Sequence, residues 1–409
     1  MPRTPLAWYN LTHDRVRFAL FVLGVVFAVV LMFMQLGFRG ALLDSNSLLH
    51  EHVRADLVLI SPNRSALPMR EPFSRRRLVQ AAAIPGVRSV HPLYIDNGAA
   101  VLRNTDPDRR RREASRAVRV VGVDPDAFLL DFPELDPSDP RYLGDRIKTP
   151  ATALFDRKSH RDPDDPTRSI FGPLVEGART ELAGQGITLV GGFDLGPDFT
   201  SEGTLIVSSE TFADLLRRPV TLGAPLADVD LGLIRLEPGA DVEAVRDAIR
   251  REVARGSDGD PEVDVLTVPE LVAREHRFWL NNTPIGFAFV FGMFMGFAVG
   301  TVICYQILSG DVSDHIAEYA TLKAFGYTNR HLAWVVIQEA LILAVAGYIV
   351  GLGVSWLAYD WLTEASAMPL RMTFGRALIV FVVTVGMCIV SGLIALVRLV
   401  RADPADVFG

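Results

Sequence analysis

Few residues in this sequence are spaced as catalytic or metal-binding groups require. The chain has no G-x-x-x-x-G-K-[ST] loop, so it does not hold its own P-loop nucleotide site. It also lacks the H-E-x-x-H and G-x-S-x-G patterns of zinc and serine hydrolases. His50, Glu51 and His52 could suggest a metal pair, but a zinc site needs roughly three or four ligands and no other His or Cys lies nearby in sequence. We interpret these residues as part of a surface stalk and predict no catalytic residue, metal site or cofactor in this chain.

Glu339 is the one carboxylate inside a long apolar run, residues 332–359. A charged side chain within a bilayer is costly and often marks a functional site. Glu339 also lies only about 12 Å along a helix from His331, at the predicted cytoplasmic end. That position is equally consistent with Glu339 lying near the membrane interface and with Glu339 pairing with a neighbouring helix.

The apolar residues are concentrated in four stretches near the two ends of the chain. A bilayer core about 30 Å thick requires about 20 apolar residues in a helix, and residues 18–38, 278–310, 332–359 and 377–397 meet that length. A helix in a soluble core rarely stays uncharged for so long, so we predict four transmembrane helices. The first stretch exceeds the apolar length of a signal peptide and has no A-x-A-like site after it, which favours an uncleaved signal anchor.

Basic residues predict the orientation of these helices. By the positive-inside rule, both termini and the loop 311–331 are cytoplasmic. Residues 39–277 and the short loop 360–376 are then extracytoplasmic. The basic residues on the predicted cytoplasmic side are Arg3, Arg15, Arg17, Lys323, Arg330, Arg398 and Arg401. Arg371 and Arg376 oppose this orientation because they lie in the short loop 360–376.

The two terminal segments are short. Thr4 and Pro5 provide a helix cap and a first helical residue, and the Trp and Tyr that follow favour the headgroup layer. We therefore predict an interfacial helix within residues 1–17, with an ordinary flexible tail as the alternative. Residues 398–409 form the predicted cytoplasmic tail.

The polar middle of the chain predicts a folded domain between the first and second transmembrane helices. Strand-like runs alternate with helical patterns, which indicates a mixed α/β domain of two lobes. Helices at 39–54 and 268–282 are predicted to tie this domain stiffly to the membrane, because neither junction is rich in Gly and Ser. Residues 156–167, rich in Asp, Pro and Arg, are predicted as an exposed loop. The main predicted strands cover 55–60, 87–102, 118–123, 188–191, 204–207, 231–236 and 263–267, and the predicted helices cover 73–84 and 241–253.

Composition excludes some functions and supports this fold class, an α-helical membrane protein with four transmembrane helices and a large mixed α/β extracytoplasmic domain. The net charge of −7 argues against nucleic-acid binding, which needs clustered excess positive charge. The two cysteines, Cys304 and Cys388, both lie in apolar runs, so no disulfide is expected in the polar middle. That domain must rely on its own core, for which roughly 240 residues are ample.

Small residues recur at regular spacing in two of the apolar stretches. Gly292, Gly296 and Gly300 lie four residues apart in the second stretch, and Gly347 and Gly351 repeat that spacing in the third. Small residues at this spacing let helix backbones approach closely. The pattern predicts a tight neighbour, which is either another helix of the same chain or the second copy in a homodimer.

The loop after the second apolar stretch carries a resemblance to a known family. Residues 311–327 read DVSDHIAEYATLKAFGY. This sequence resembles the signature of FtsX-like permeases, in which an acidic residue is followed by a short apolar stretch, a basic residue and a glycine. Further strings, in order along nearly the whole chain, resemble the DevC family of MacB-like exporters. These strings are LAW (6–8), LMFMQLGF (31–38), ADL (55–57), SRRRL (74–78), PGV (85–87), PLY (92–94), NTPIGF (282–287), YQIL (305–308), QEA (338–340) and ADPA (402–405).

The resemblance implies partners and a mechanism. Two copies of such a permease pair with two separate ABC ATPase subunits, which bind ATP and Mg. A periplasmic adaptor, known as a membrane fusion protein, and an outer-membrane channel complete the assembly, and the permease lies in the inner membrane. In DevC relatives the cargo is linked to envelope glycolipids. Two other functions fit the same superfamily: an FtsX-like regulator of envelope hydrolases and a lipoprotein-releasing permease.

In this family the loop at 311–331 docks on the ATPase. Tyr319, Leu322 and Phe325 lie three residues apart and would form one apolar helical face. Glu318 and Lys323 add charges of opposite sign, and Gly326 would end the helix. We predict that these six residues couple the chain to the ATPase. A helix lying on the membrane surface with its apolar face in lipid is the alternative.

Overall fold

The computed structural model describes residues 15–106, 115–162, 165–216, 226–254, 261–314, 321, 325, 328–366 and 370–401. These residues form two compact units. The membrane unit contains the described residues up to Ala41, Pro284–Leu362 and those from Leu370 onward. The domain unit contains Leu42–Thr283 and Thr363–Pro369.

Four long helices carry the apolar stretches. They are α1 (Arg15–Glu51), α7 (Pro284–Asp314), α8 (Asn329–Ser366) and α9 (Phe374–Arg401). Each contains a segment apolar and long enough to cross a membrane: Phe18–Glu51, Pro284–Gly310, Ala333–Thr363 and Phe374–Leu396. The prediction of four apolar helices is confirmed.

The helix boundaries differ from the predicted ones at the first two helices. The predicted helix 39–54 is part of α1, because the helix continues without a break from Arg15 to Glu51. The predicted second stretch, by contrast, began at Phe278, whereas α7 begins at Pro284. Proline disfavours helical backbone at the preceding residue, so α6 (Val268–Asn281) ends before Thr283 and a separate helix follows.

The domain unit is built on one mixed sheet of nine strands in the order β13-β1-β12-β3-β4-β10-β5-β9-β8. Strands β4 and β10 are parallel, as are β5 and β9, and the other pairs are antiparallel. The strands are β1 (Leu57–Ile60), β3 (Val87–Arg103), β4 (Ser115–Val123), β5 (Thr152–Asp156), β8 (Arg179–Leu182), β9 (Gln185–Phe193), β10 (Thr204–Ser208), β12 (Leu231–Leu236) and β13 (Asp264–Leu266). Two small sheets add β2 (Phe73–Ser74) with β11 (Asp228–Val229), and β6 (Arg161–Asp162) with β7 (Asp165–Ser169).

Side chains that alternate along the strands fill a core on each face of the sheet. On the first face, Leu57 and Leu59 pack with residues of α2 (Arg75–Ala81), α4 (Ser209–Leu215) and α5 (Val242–Glu252). On the second face, Val58 and Ile60 pack with Leu49 of α1 and Leu271 of α6. The mixed α/β prediction is confirmed, and nine of the strands make one sheet. The division of this domain into two lobes stays a prediction. Two shorter helical segments, Pro133–Leu135 (3₁₀) and α3 (Gly144–Ile147), complete the described elements of this unit.

The predicted exposed loop at 156–167 is wrong. Asp156 ends β5 and is fully buried, and β6 and β7 form a hairpin after it. The Asp156 carboxylate accepts hydrogen bonds from the backbone N–H groups of Leu195 and Gly196. The abundance of Asp, Pro and Arg suggested solvent exposure, but this carboxylate satisfies buried backbone groups instead.

Candidate functional site

The ends of α1 and α6 are set into the core of the domain unit. Leu49 of α1 is 1% exposed and Leu271 of α6 is 2% exposed, and both belong to the core on the second face of the sheet. Helix α6 begins with a capping box, in which the Thr267 hydroxyl accepts from the Glu270 N–H and the Glu270 carboxylate accepts from the Thr267 N–H. Within this unit, the two helices that adjoin the membrane segments therefore have fixed ends.

A buried carboxylate, Glu275, joins these two helices. It lies 3.3 Å from the His50 Nε2 atom on α1, and both side chains are 2% exposed. Its oxygens also accept hydrogen bonds of 2.8 Å from the Leu67 backbone N–H and from the Trp279 Nε1–H one turn along α6. Removing one member of such a buried network leaves the other polar groups without a hydrogen-bond or charge partner, which destabilises the fold.

The network continues into the centre of the sheet. The Arg64 guanidinium, 1% exposed, donates to the Leu67 carbonyl at 3.0 Å and to Asp230 at 3.1 Å. Asp230 precedes β12 and accepts a hydrogen bond of 3.0 Å from the Ile95 N–H on β3. Burial lowers the pKa of Arg64, and the Asp230 carboxylate opposes that shift. Polar contacts thus run from the end of α1 to a central strand.

The surface-stalk interpretation of residues 50–52 is wrong for His50. The His50 side chain is buried against Glu275, and the His52 ring stacks on Phe132 with centroids 4.7 Å apart. Sequence reasoning missed this because the partner lies 225 residues away. Glu275 and Trp279, four residues apart on one face of α6, were the available signal.

All five glycines predicted to pack closely lie against other helices of this chain. A methyl group on Gly292 would lie 2.5 Å from Gln35 Cδ, and one on Gly296 would lie 3.3 Å from Met32 Cγ. On Gly300 it would lie 2.7 Å from the Ala28 methyl group. These three contacts join α7 to α1.

The glycines of α8 approach the same helix. A methyl group on Gly351 would lie 2.6 Å from Val29 Cγ1, and one on Gly347 would overlap Val25. Near the middle of α1, the Tyr359 hydroxyl of α8 donates to the Phe33 carbonyl. Helix α1 is therefore the shared neighbour of α7 and α8. Contact of these helices with a second copy of the chain stays a prediction.

Glu339 lies inside the helical unit. Its side chain is fully buried on α8. The next residue, Ala340, has its methyl carbon 3.5 Å from the position that a Cβ on Gly392 of α9 would occupy. Glu339 therefore belongs to the part of α8 that packs among helices.

The predicted coupling residues lie mostly outside the described part of the chain. Glu318, Tyr319, Leu322, Lys323 and Gly326 are not among the described residues. Phe325 is described and is 78% exposed, and Thr321 is helical and exposed. An exposed phenylalanine is compatible with the predicted apolar face, and the assignment of this face stays a prediction.

The arrangement offers mechanical connections between α1, α6 and the sheet. Across the described residues, no group of three or more His, Cys, Asp or Glu side chains could hold a metal ion. His50, Arg64, Asp230 and Glu275 are engaged in the network that joins α1, α6 and the sheet.

Comparisons with known proteins agree with this architecture. Residues 18–252 match the family model of the MacB-like periplasmic core domain, and residues 290–404 match that of the FtsX-like permease C-terminal region. A search of curated proteins found no match.

Two solved structures are similar to parts of the chain. The extracellular domain of the noncanonic ABC-type transporter YknZ from Gram-positive bacteria is 11% identical, with a TM-score of 0.34, and the match covers 52% of this chain and 99% of that one. The periplasmic region of MacB from Actinobacillus actinomycetemcomitans is 9% identical, with a TM-score of 0.34, and the match covers 54% of this chain and 92% of that one.

Four apolar helices, a large α/β domain and these family matches define a class, the multi-pass membrane permeases of ABC transporters. The chain belongs to the MacB-like, FtsX-like permease family. Members of this family are typically non-catalytic themselves and work with an ABC ATPase.

Proposed function

We propose that this chain is the permease subunit of a DevC-like exporter in the inner membrane, where two copies work with two separate ATPase subunits. ATP-driven closure of the ATPases presses on the loop 311–331, and the helices pass that motion to the extracytoplasmic domain. The domain then drives an envelope-associated substrate, of the glycolipid class, into a periplasmic adaptor and an outer-membrane channel.

The observation that supports this proposal most directly is the unbroken helix α1. At 1.5 Å per residue, the 37 residues of α1 span about 55 Å. A bilayer core about 30 Å thick takes up little more than half of that length. The remaining turns end in the buried network around Glu275. A continuous helix with a fixed end is suited to carrying motion out of the membrane.

The family resemblance supports the site at which that motion enters. The residues 318–326 combine an apolar face with charges of opposite sign, and Phe325 is exposed. An apolar anchor within a charged rim is a common composition for a protein interface. A regulator of envelope hydrolases would use the same coupling, so the two functions differ in what the extracytoplasmic domain contacts.

The test of ATPase coupling is a charge reversal with a matched control. Lys323→Glu should weaken co-purification of the ATPase and lower the ATP hydrolysis that is coupled to export. A compensating reversal on the ATPase should restore both. Arg330→Glu, an equal charge change at an exposed residue of α8 outside the predicted face, should leave both near wild type. Unchanged ATPase binding and export in Lys323→Glu would remove Lys323 from the interface.

A second measurement separates the exporter from the regulator. Detergent-solubilised complexes carrying a tagged copy of this chain should retain a periplasmic adaptor after mild cross-linking. Loss of the chain should abolish appearance of the substrate outside the cell. Recovery of an envelope hydrolase in place of an adaptor, together with normal export in the deletion strain, would support the regulatory function instead.

A further inference from the structure

The two cysteines of the chain meet inside the membrane unit. Cys304 on α7 and Cys388 on α9 lie 84 residues apart in sequence, yet their Sγ atoms are 3.6 Å apart. They are 3% and 1% exposed. These are the only two cysteines among the 409 residues. At this distance either thiol can donate a hydrogen bond to the other.

The helices hold the two thiols in register. Ser391, on the same face of α9 as Cys388, donates a hydrogen bond of 2.8 Å across to the Thr301 carbonyl of α7. One turn before Cys304, a methyl group on Gly300 would lie only 2.6 Å from the Met387 sulfur. Both contacts lie within about one turn before Cys304 on α7, and they hold α7 and α9 close together beside the thiol pair.

The thiol pair is close enough for a covalent bond. A disulfide requires sulfur atoms about 2.05 Å apart, so the two atoms need to approach by about 1.5 Å. Side-chain rotation and a small shift of the two helices supply a movement of that size. The bond would tie α7, which precedes the loop 311–331, to α9.

The position of the pair selects the kind of oxidant. Cys304 lies about 10 Å along α7 from Asp311, and Cys388 lies about 21 Å from the start of α9. Both thiols are therefore within the apolar part of their helices. A small oxidant dissolved in the lipid has direct access to that layer, whereas a charged oxidant in water does not.

We propose that Cys304 and Cys388 form a two-electron redox site that a membrane-dissolved quinone oxidises. Both S–H bonds break and one S–S bond forms. The two protons and two electrons pass to the quinone, which leaves as the quinol. The product is a disulfide between α7 and α9. This site is independent of the proposed export function.

The test uses the full chain in nanodiscs of phosphatidylethanolamine and phosphatidylglycerol. Samples are incubated with decylubiquinone, with ferricyanide or without oxidant, then denatured, alkylated and digested with trypsin. Cleavage at the Arg and Lys residues of the sequence separates residues 278–323 from residues 377–398, so a disulfide appears in mass spectra as these two peptides linked.

Quinone should raise the linked peptide at least tenfold above the untreated sample, whereas ferricyanide should leave it at the untreated level. Cys388→Ser, which keeps nearly the same side-chain volume, should give no linked peptide under any condition. Complete alkylation of both thiols after quinone treatment would overturn the proposal, as would equal linkage with ferricyanide. The readout needs neither ATPase nor cargo, so it is separate from the test of export.

Discussion

Two glycines of α8 provide a direct measure of how closely it packs against α1. Gly351 faces α1, where an added methyl group would lie 2.6 Å from Val29 Cγ1 and 2.8 Å from Val29 Cβ. Gly353 is only two residues further along and is exposed, with no heavy atom within 4 Å of the corresponding position. Replacing either glycine by alanine adds one methyl group, which meets α1 at Gly351 and open space at Gly353.

The magnitude follows from two effects of the added methyl group. Alanine is favoured over glycine within a helix by about 1 kcal/mol, and this gain is common to both variants. Overpacking a tight contact costs about 1–3 kcal/mol. Gly353→Ala should therefore be stabilising by up to about 1 kcal/mol. Gly351→Ala should be less stable than Gly353→Ala by the full overpacking cost, about 1–3 kcal/mol.

The assay is SDS-driven unfolding of the full chain in mixed micelles. Energy transfer between labels on α1 and α8 follows the separation of the two helices, and the transition gives the free energy of unfolding of the membrane unit. Equal transitions for the two alanine variants would refute the close contact. So would a larger loss of stability in Gly353→Ala than in Gly351→Ala.

Three further predictions concern the domain unit and its orientation. Glu275→Leu leaves two buried N–H donors without an acceptor. The free energy of local opening, measured by hydrogen exchange near Leu67, should therefore fall by about 2–6 kcal/mol, whereas in Glu275→Gln it should fall much less. A cysteine at exposed Val175 should react with a membrane-impermeant reagent in intact spheroplasts, whereas one at Thr328 should react only after lysis; the reverse result would invert the topology. The Thr267 N–H holds the pKa of Glu270 below its usual value. The ionised Glu270 carboxylate therefore stabilises the folded domain above about pH 5, and this stabilisation is lost as the pH falls through the lowered pKa. Thermal unfolding should accordingly show Glu270→Gln less stable than wild type at neutral pH, with a difference that shrinks on acidification.

The sequence predicts the four apolar helices and several of the strands because their signals are local, whereas β5, β8 and α4 were not predicted. Long uncharged runs indicate membrane helices wherever they occur, and the caps at Ser74 and Asp241 mark the starts of α2 and α5. The strand β12 was predicted at its observed bounds, 231–236. These features depend on neighbouring residues alone.

The contacts that build the candidate site depend on residues far apart in sequence. The glycine spacing treats Gly296 and Gly351 alike, but the structure leaves more space beside Gly296, where the nearest atom is at 3.3 Å instead of 2.6 Å. His50 looks like a surface residue until Glu275 is placed beside it. Polar composition alone did not distinguish an exposed loop from the buried carboxylate of Asp156, because burial of a charge depends on donors from a distant segment.

Helix α1 is unbroken, whereas α6 and α7 are separated by a break at Asn282 and Thr283. This difference determines where insertions and deletions of residues can be accommodated. One residue added within a continuous helix turns everything beyond it by about 100° and shifts it by about 1.5 Å. Such a change between Leu42 and His50 would rotate His50 away from Glu275. The break can absorb an extra residue in non-helical backbone. We expect insertions and deletions among homologous chains to be tolerated at 282–283 and to be selected against at 42–50, so the number of residues in that stretch of α1 should be constant.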